Sequence, residues 1–184
     1  MSSIAGQDVI LADQAGYPTF IVNAFLVASA LNKNMFQIFN ANAGQRIFIH
    51  SLTITNEQQV AVTGVLAQYE IGRSTALATG STTVTPGALD STKTLPASIT
   101  TSTGGAATVA VTYGRELIST DEWTANTTDA ESLTAPLFST KNLLAQMLYS
   151  RPAILNLNEG LVVNCLTNTT TGLHNFCCIF SVGA

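Results

Sequence analysis

Apolar side chains recur along this chain with a period of two. Arg46-Ile47-Phe48-Ile49-His50-Ser51-Leu52-Thr53-Ile54-Thr55 is the clearest case, and such alternation marks a strand with one face buried. Residues 19–31 form a longer apolar run around Phe20, Val22, Phe25 and Val27. A turn at Asn32-Lys33-Asn34 leads to a second strand at residues 35–39, and a turn at residues 40–44 leads to the alternating strand. Residues 60–71 predict a further strand, with Gly64 as a bulge or close-packing point. Residues 107–113 restore the alternation downstream.

Between these strands lies an excursion, residues 72–105, rich in Ser, Thr, Ala and Gly and poor in large apolar residues. It is too long for an ordinary loop, so it is expected to lie against something, with extended pieces at residues 82–84 and 98–100. Residues 119–141 hold no period, and residues 142–149 read as a short helix or an irregular stretch. The last third is expected to be an antiparallel meander of strands 153–157, 161–166 and 173–182. Asn158-Glu159-Gly160 would form its first turn, with Gly160 at positive φ, and residues 168–172 its second.

Roughly eight to ten strands without a convincing helical period predict an all-β chain. The expected fold is an antiparallel β-sandwich of jelly-roll or Greek-key type. Residues 1–18, broken by Gly6, Gly16 and Pro18, would be an N-terminal arm, and residues 19–184 one domain. A length of 184 residues suits that arrangement.

Charge changes the picture. Hydrophobic residues make up 46% of the chain but charged residues only 10%, against about 25% in ordinary globular proteins. Depletion of charge is the compositional mark of surface covered by neighbours. A neutral, hydroxyl-rich β surface is the other explanation of the low charge; on the covered-surface reading the chain is expected to form a homo-oligomer, with a trimer as the favoured state. Net charge is −4, and the seven basic residues are scattered singly, which argues against direct nucleic-acid contact. The start of the chain has no basic n-region, and its longest apolar run is too short for a bilayer span, so neither export nor a membrane partner is expected.

Candidate chemistry is sparse. His50 and His174 are the only histidines, and both sit in strand patterns. Cys165, Cys177 and Cys178, with His174, lack the paired spacing of a zinc site. Cys177 and Cys178 point to opposite strand faces, so at most one could meet Cys165, and buried free thiols are the expected state. Asp121-Glu122 beside Trp123 is the one acidic pair with an aromatic neighbour; an exposed acidic loop explains it without glycosidase chemistry. Asn126-Thr127-Thr128 and Asn168-Thr169-Thr170 match glycosylation sequons by composition alone. No catalytic, cofactor-binding or metal-binding residue is assigned.

The stretch Pro152-Ala153-Ile154-Leu155-Asn156-Leu157-Asn158-Glu159-Gly160-Leu161-Val162-Val163-Asn164 resembles the closing module of tailed-bacteriophage virion proteins: proline, apolar strand, Glu-Gly, apolar strand. Val84-Thr85-Pro86-Gly87-Ala88-Leu89-Asp90-Ser91, followed by Leu95-Pro96, is similar to the linker of the same group, and the strand from Arg46 fits its layout. The final strand departs from the group in lacking basic residues and carrying cysteines. The resemblance implies a non-enzymatic virion protein of head-decoration, cement or minor-capsid type, made in the host cytoplasm, whose partners are itself and the major capsid or other virion proteins. The alternative is a tail- or surface-associated glycan- or receptor-binding module, with Trp123, Tyr113 or Tyr149 as a sugar platform.

Overall fold

The structure is a computed structural model that describes residues 16–57, 66–119, 140–144, 153–167 and 172–184. The described residues form strands joined by turns and extended connections, with no helix. In chain order the strands are β1 (Thr19–Ala28), β2 (Asn34–Asn40), β3 (Arg46–Asn56), β4 (Leu66–Ser74), β5 (Thr82–Thr83) and β6 (Gly87–Ala88). Then follow β7 (Ile99–Thr103), β8 (Val111–Ser119), β9 (Thr140–Asn142), β10 (Ala153–Leu155), β11 (Glu159–Cys165) and β12 (Leu173–Gly183).

They build two antiparallel sheets. Sheet A has the order β10-β3-β12-β1-β6, with β9 also on β3, and sheet B has the order β5-β7-β2-β11-β4-β8. Alternation decides which side of each strand is buried. On β12 the inward set is His174, Phe176, Cys178, Phe180 and Val182, while Asn175, Cys177 and Ile179 remain partly open on the other face. β1 does the same with Phe20, Val22 and Ala24. Sheet B contributes Phe36, Ile38, Ala67, Tyr69, Ile71, Leu161 and Val163 to one continuous core with these residues. Phe176 joins the layers, stacking on Phe36 at 6.3 Å and meeting the Tyr69 ring edge-on at 6.2 Å.

The early strands follow the sequence pattern closely, and the later ones depart from it. β4 runs three residues beyond Ile71, to Ser74, while the expected bulge at Gly64 lies outside the described residues. β8 begins at Val111 and continues to Ser119, four residues later than the alternation at residues 107–113 predicts. Residues 107–110 instead run over the outer side of sheet B: Asn164 Nδ2 donates to the Ala107 carbonyl at 3.0 Å, and Ala110 N donates to Arg73 O at 2.7 Å. Their alternation records packing on a sheet rather than a place in a ladder. β9 occupies residues 140–142 and a turn follows at residues 143–144; the rest of the 142–149 stretch lies outside the described residues.

The C-terminal third is not a meander. β10 pairs with β3 in sheet A, β11 pairs with β2 and β4 in sheet B, and β12 returns to sheet A between β1 and β3. The chain therefore crosses between layers at each connection. Local pattern specifies where strands begin and end, but two strands of one apolar character can lie side by side or face to face with equal local satisfaction. The positive φ also falls elsewhere, on Asn158 (φ 58) rather than Gly160. Gly160 is required for a different reason: a Cβ there would lie 2.6 Å from Ser74 Oγ and 2.9 Å from both Ile38 O and Phe39 Cδ2.

The excursion does lie against something, and that is its own domain. β7 pairs with β2, β5 with β7, and β6 with β1. Gln37 is buried on β2; its Nε2 donates to Ser74 Oγ and Ala76 O, and its Oε1 accepts from Ala78 N at 2.8 Å. Backbone ladders and one buried amide supply what the segment lacks in large apolar residues.

Two substitutions separate the roles of Gly160 and Asn158. Gly160→Ala is expected to destabilise the chain by about 1–3 kcal/mol in urea, through overpacking. Asn158→Gly is expected to be neutral or slightly stabilising, because only the backbone conformation is at stake there. Equal stability of Gly160→Ala and the parent would contradict the close approach.

Candidate functional site: an uncharged sheet face and a buried polar cluster

One His–hydroxyl cluster stands out. Ser29, just past β1, places its Oγ 2.7 Å from Tyr69 OH on β4 and 3.3 Å from His174 Nδ1 on β12; Tyr69 OH lies 3.0 Å from the same nitrogen. Tyr69 and His174 are fully buried and Ser29 is 8% exposed. Burial pushes the Tyr69 phenol well above its usual range, so it stays neutral. A serine next to a histidine is the start of a nucleophile. Here, though, the Tyr69 hydroxyl bonds both groups, and none of the three lines the groove described below. The cluster acts as a polar clasp between the two sheets, satisfying buried groups that would otherwise be costly.

The other residues singled out by sequence are dispersed. His50 is the extra residue of a bulge on β3, since Ile49 pairs with Phe180 and Ser51 with Ile179. Its Nε2 meets Ser181 Oγ at 2.9 Å, and burial lowers its pKa. Cys165 and Cys178 are buried and Cys177 is partly exposed, all three as free thiols. Cys165 belongs to sheet B and Cys178 to sheet A. Burial pushes all three thiols up, against a smaller opposing pull on Cys177 from Thr53. No group of three or more His, Cys, Asp or Glu side chains placed to hold a metal occurs among the described residues. Tyr113 is exposed on β8. Asp121, Glu122, Trp123, Asn126, Tyr149 and Asn168 lie outside the described residues.

A groove of about 560 Å³ opens between the β1–β6 edge of sheet A and β7 of sheet B, rimmed by Thr83, Val84, Pro86, Lys93, Leu95 and Pro96. It offers one cation, no carboxylate and no exposed aromatic ring; Phe20 at its floor is 1% exposed. Neither acid–base chemistry nor stacking on a sugar has the groups it needs there.

The outer face of sheet A is the most distinctive surface. Thr19, Ser181, Phe48 and Ile154 follow one another across β1, β12, β3 and β10; Ile21, Ile179 and Ser51 form the next row, and Asn23, Cys177 and Thr53 the one after. Between Arg46 at one end and Glu57 at the other, none of these four strands carries Asp, Glu, Lys or Arg. Sheet B is the opposite: β4, β8 and β11 carry Glu70, Arg73, Arg115, Glu116 and Glu159, with ion pairs Arg73–Glu159 at 3.0 Å and Arg115–Glu70 at 3.3 Å. Tyr17 lies flat on one end of the uncharged face, stacked on Phe48 at 5.5 Å above Gly183, where any Cβ would strike its ring.

At the other end β1 bulges. Ala24 pairs with Phe176 and Val27 with His174, so Phe25 and Leu26 together oppose Asn175. Leu26 adopts a left-handed φ of 52° while its N–H donates to Glu57 Oε2 at 2.8 Å, and Phe25 and Leu26 are 64% and 57% exposed. A leucine in that conformation costs roughly 1–2 kcal/mol, and the bulge exposes apolar side chains at the corner of a neutral face. Residue pattern does not mark this corner, since residues 19–31 read as one apolar strand.

Searches of protein-family models, curated proteins and solved structures find no match to this chain.

Tyr69→Phe tests the clasp. It is expected to cost about 1–2 kcal/mol in urea denaturation, because His174 and Ser29 lose a buried partner. Unchanged stability would show that the cluster contributes nothing to joining the sheets.

Proposed function

We propose that this chain is a non-enzymatic virion structural protein, of capsid decoration, cement or minor-capsid type, that works by burying surface against copies of itself and other virion proteins. The observation that carries this reading is the uncharged, open outer face of sheet A in a chain with only 10% charged residues. Such a face matches the charge-depleted core of a protein interface and is a poor match to a surface meant to remain in water.

We further read the fold as a jelly roll. With β5, β6, β7 and β9 set aside, the orders β10-β3-β12-β1 and β2-β11-β4-β8 support it, because successive strands of these eight alternate between the two sheets except at β4 and β8, which are neighbours in sheet B. Jelly rolls recur in viral capsid and lectin domains, which agrees with the proposal by analogy of fold only. The resemblance of residues 152–164 to the closing module of tailed-phage virion proteins is the second support. The glycan-binding alternative draws less support, since the groove beside β7 has neither an exposed ring nor a carboxylate to offer a sugar.

Residues 1–15 complete the proposal as an arm that reaches neighbouring subunits; the end of the expected 1–18 arm is instead held on the chain's own sheet A, where Tyr17 stacks on Phe48 and Pro18 O accepts from Val182 N. Removal of residues 1–15 is expected to leave the melting temperature of the domain within about 2 °C while weakening self-association and co-sedimentation with particles. Light scattering, thermal melting and sedimentation check this together. A chain that unfolds on truncation would make the segment an integral part of the sandwich, and a monomer that never binds particles would overturn the assembly role.

A further inference from the structure

The geometry points to the outer face of sheet A as the surface on which a second copy of this chain docks, face to face about a two-fold axis near Cys177. This inference rests on the assembly reading above and assigns it a surface.

Three features favour a second copy as the occupant. A two-fold contact brings each patch against itself, so any like charges on the patch would be opposed. This face has none across β1, β12, β3 and β10 between Arg46 and Glu57, and the one other charge on a strand of sheet A is Lys141 on the short edge strand β9, whereas β4, β8 and β11 of sheet B carry five. Its apolar side chains are also arranged to meet their own copies. Ile21 and Ile179 are cross-strand partners in one row, and Ile154 is exposed in the row beside it, where Phe48 lies beneath Tyr17.

The size fits as well. Three long strands about 4.8 Å apart and roughly 33 Å long, flanked by two short ones, give roughly 500–600 Å² of flat face per copy. Both copies together approach the lower bound of about 1,200 Å² for specific interfaces, the size class of weak or transient contacts. β12 is the middle strand of sheet A, and Cys177 lies midway along it. A two-fold axis through the centre of the face therefore brings the two Cys177 side chains close together and away from solvent.

Cys177 supplies the readout, because it is the partly exposed thiol while Cys165 and Cys178 are buried. The experiment follows its labelling by a maleimide in the full chain, alongside sedimentation equilibrium. For a dissociation constant of about 10 µM, raising the chain from about 1 to 500 µM should slow Cys177 labelling about ten-fold. Ile179→Glu places a charge at the centre of the face; it should label at the dilute rate at both concentrations and sediment as the smaller species. Should that variant fail to fold, Thr53→Arg on the adjacent strand tests the same point.

Several outcomes overturn the inference. If the chain associates, as a trimer or otherwise, while Cys177 labelling is independent of concentration and Ile179→Glu associates like the parent, the docking surface lies elsewhere and the assembly reading stands. If the chain is monomeric throughout, both fail. If Cys177 is slow to label at every concentration and speeds up only when residues 1–15 are removed, the chain's own N-terminal segment covers the face.

Discussion

β12 is the strand on which the remaining structure depends. It pairs with β1 on one side and with β3 on the other along almost its whole length, and its alternate residues fill the middle of the core. A slip of one residue would send Phe176, Phe180 and Val182 to the outer face and bring Asn175, Cys177 and Ile179 inside. Two devices oppose that slip. Phe176 is held between Phe36 and Tyr69 of the opposite sheet, and His174 is bonded to Tyr69 and Ser29. The same register that buries these residues sets the character of the outer face. Because β12 has no charged residue, its outward set of Asn175, Cys177, Ile179 and Ser181 is neutral.

That coupling explains why the two sheets differ. Sheet B carries its charges on β4, β8 and β11, and part of its outer side is covered by the chain itself, through the Gln37 bonds to residues 74–78 and the Asn164 bond to Ala107. Sheet A has no comparable cover among the described residues beyond Tyr17 and the bulged His50. Its bulges occur at the two places where pairing with β12 is interrupted, at Phe25–Leu26 and at His50, and each turns outer residues away from regular alternation. The sandwich is therefore polarised, with one face charged or self-covered and the other neutral and open.

Much of the fold was legible in residue pattern. The alternation of residues 46–55 lies within β3, the turn residues Asn32 and Asn40–Gly44 bound β2, and the final apolar run is β12. The all-β class and the two antiparallel layers follow from such segments. The pairing of the last three strands was not legible, because Ala153–Leu155 and Glu159–Cys165 have the same apolar character and differ only in which distant strand completes their ladders. Nor was the Ser29–Tyr69–His174 cluster, whose members are separated by 40 and 105 positions and come together only when the layers close. Charge depletion was the one compositional signal that pointed to a surface; the structure adds where on the sandwich the depletion is concentrated.

A distance across the proposed interface tests the central claim most directly. Nitroxide labels at Thr53→Cys in a Cys177→Ser background, measured by pulsed dipolar spectroscopy in concentrated protein, report whether two outer faces of sheet A meet. Packed faces lie about 10 Å apart, so the account predicts an intermolecular distance below roughly 25 Å at Thr53 and a distance longer by about 20 Å or more for labels at Leu117→Cys on sheet B. No dipolar signal at Thr53 in associated protein, or a short distance at Leu117 instead, would contradict it.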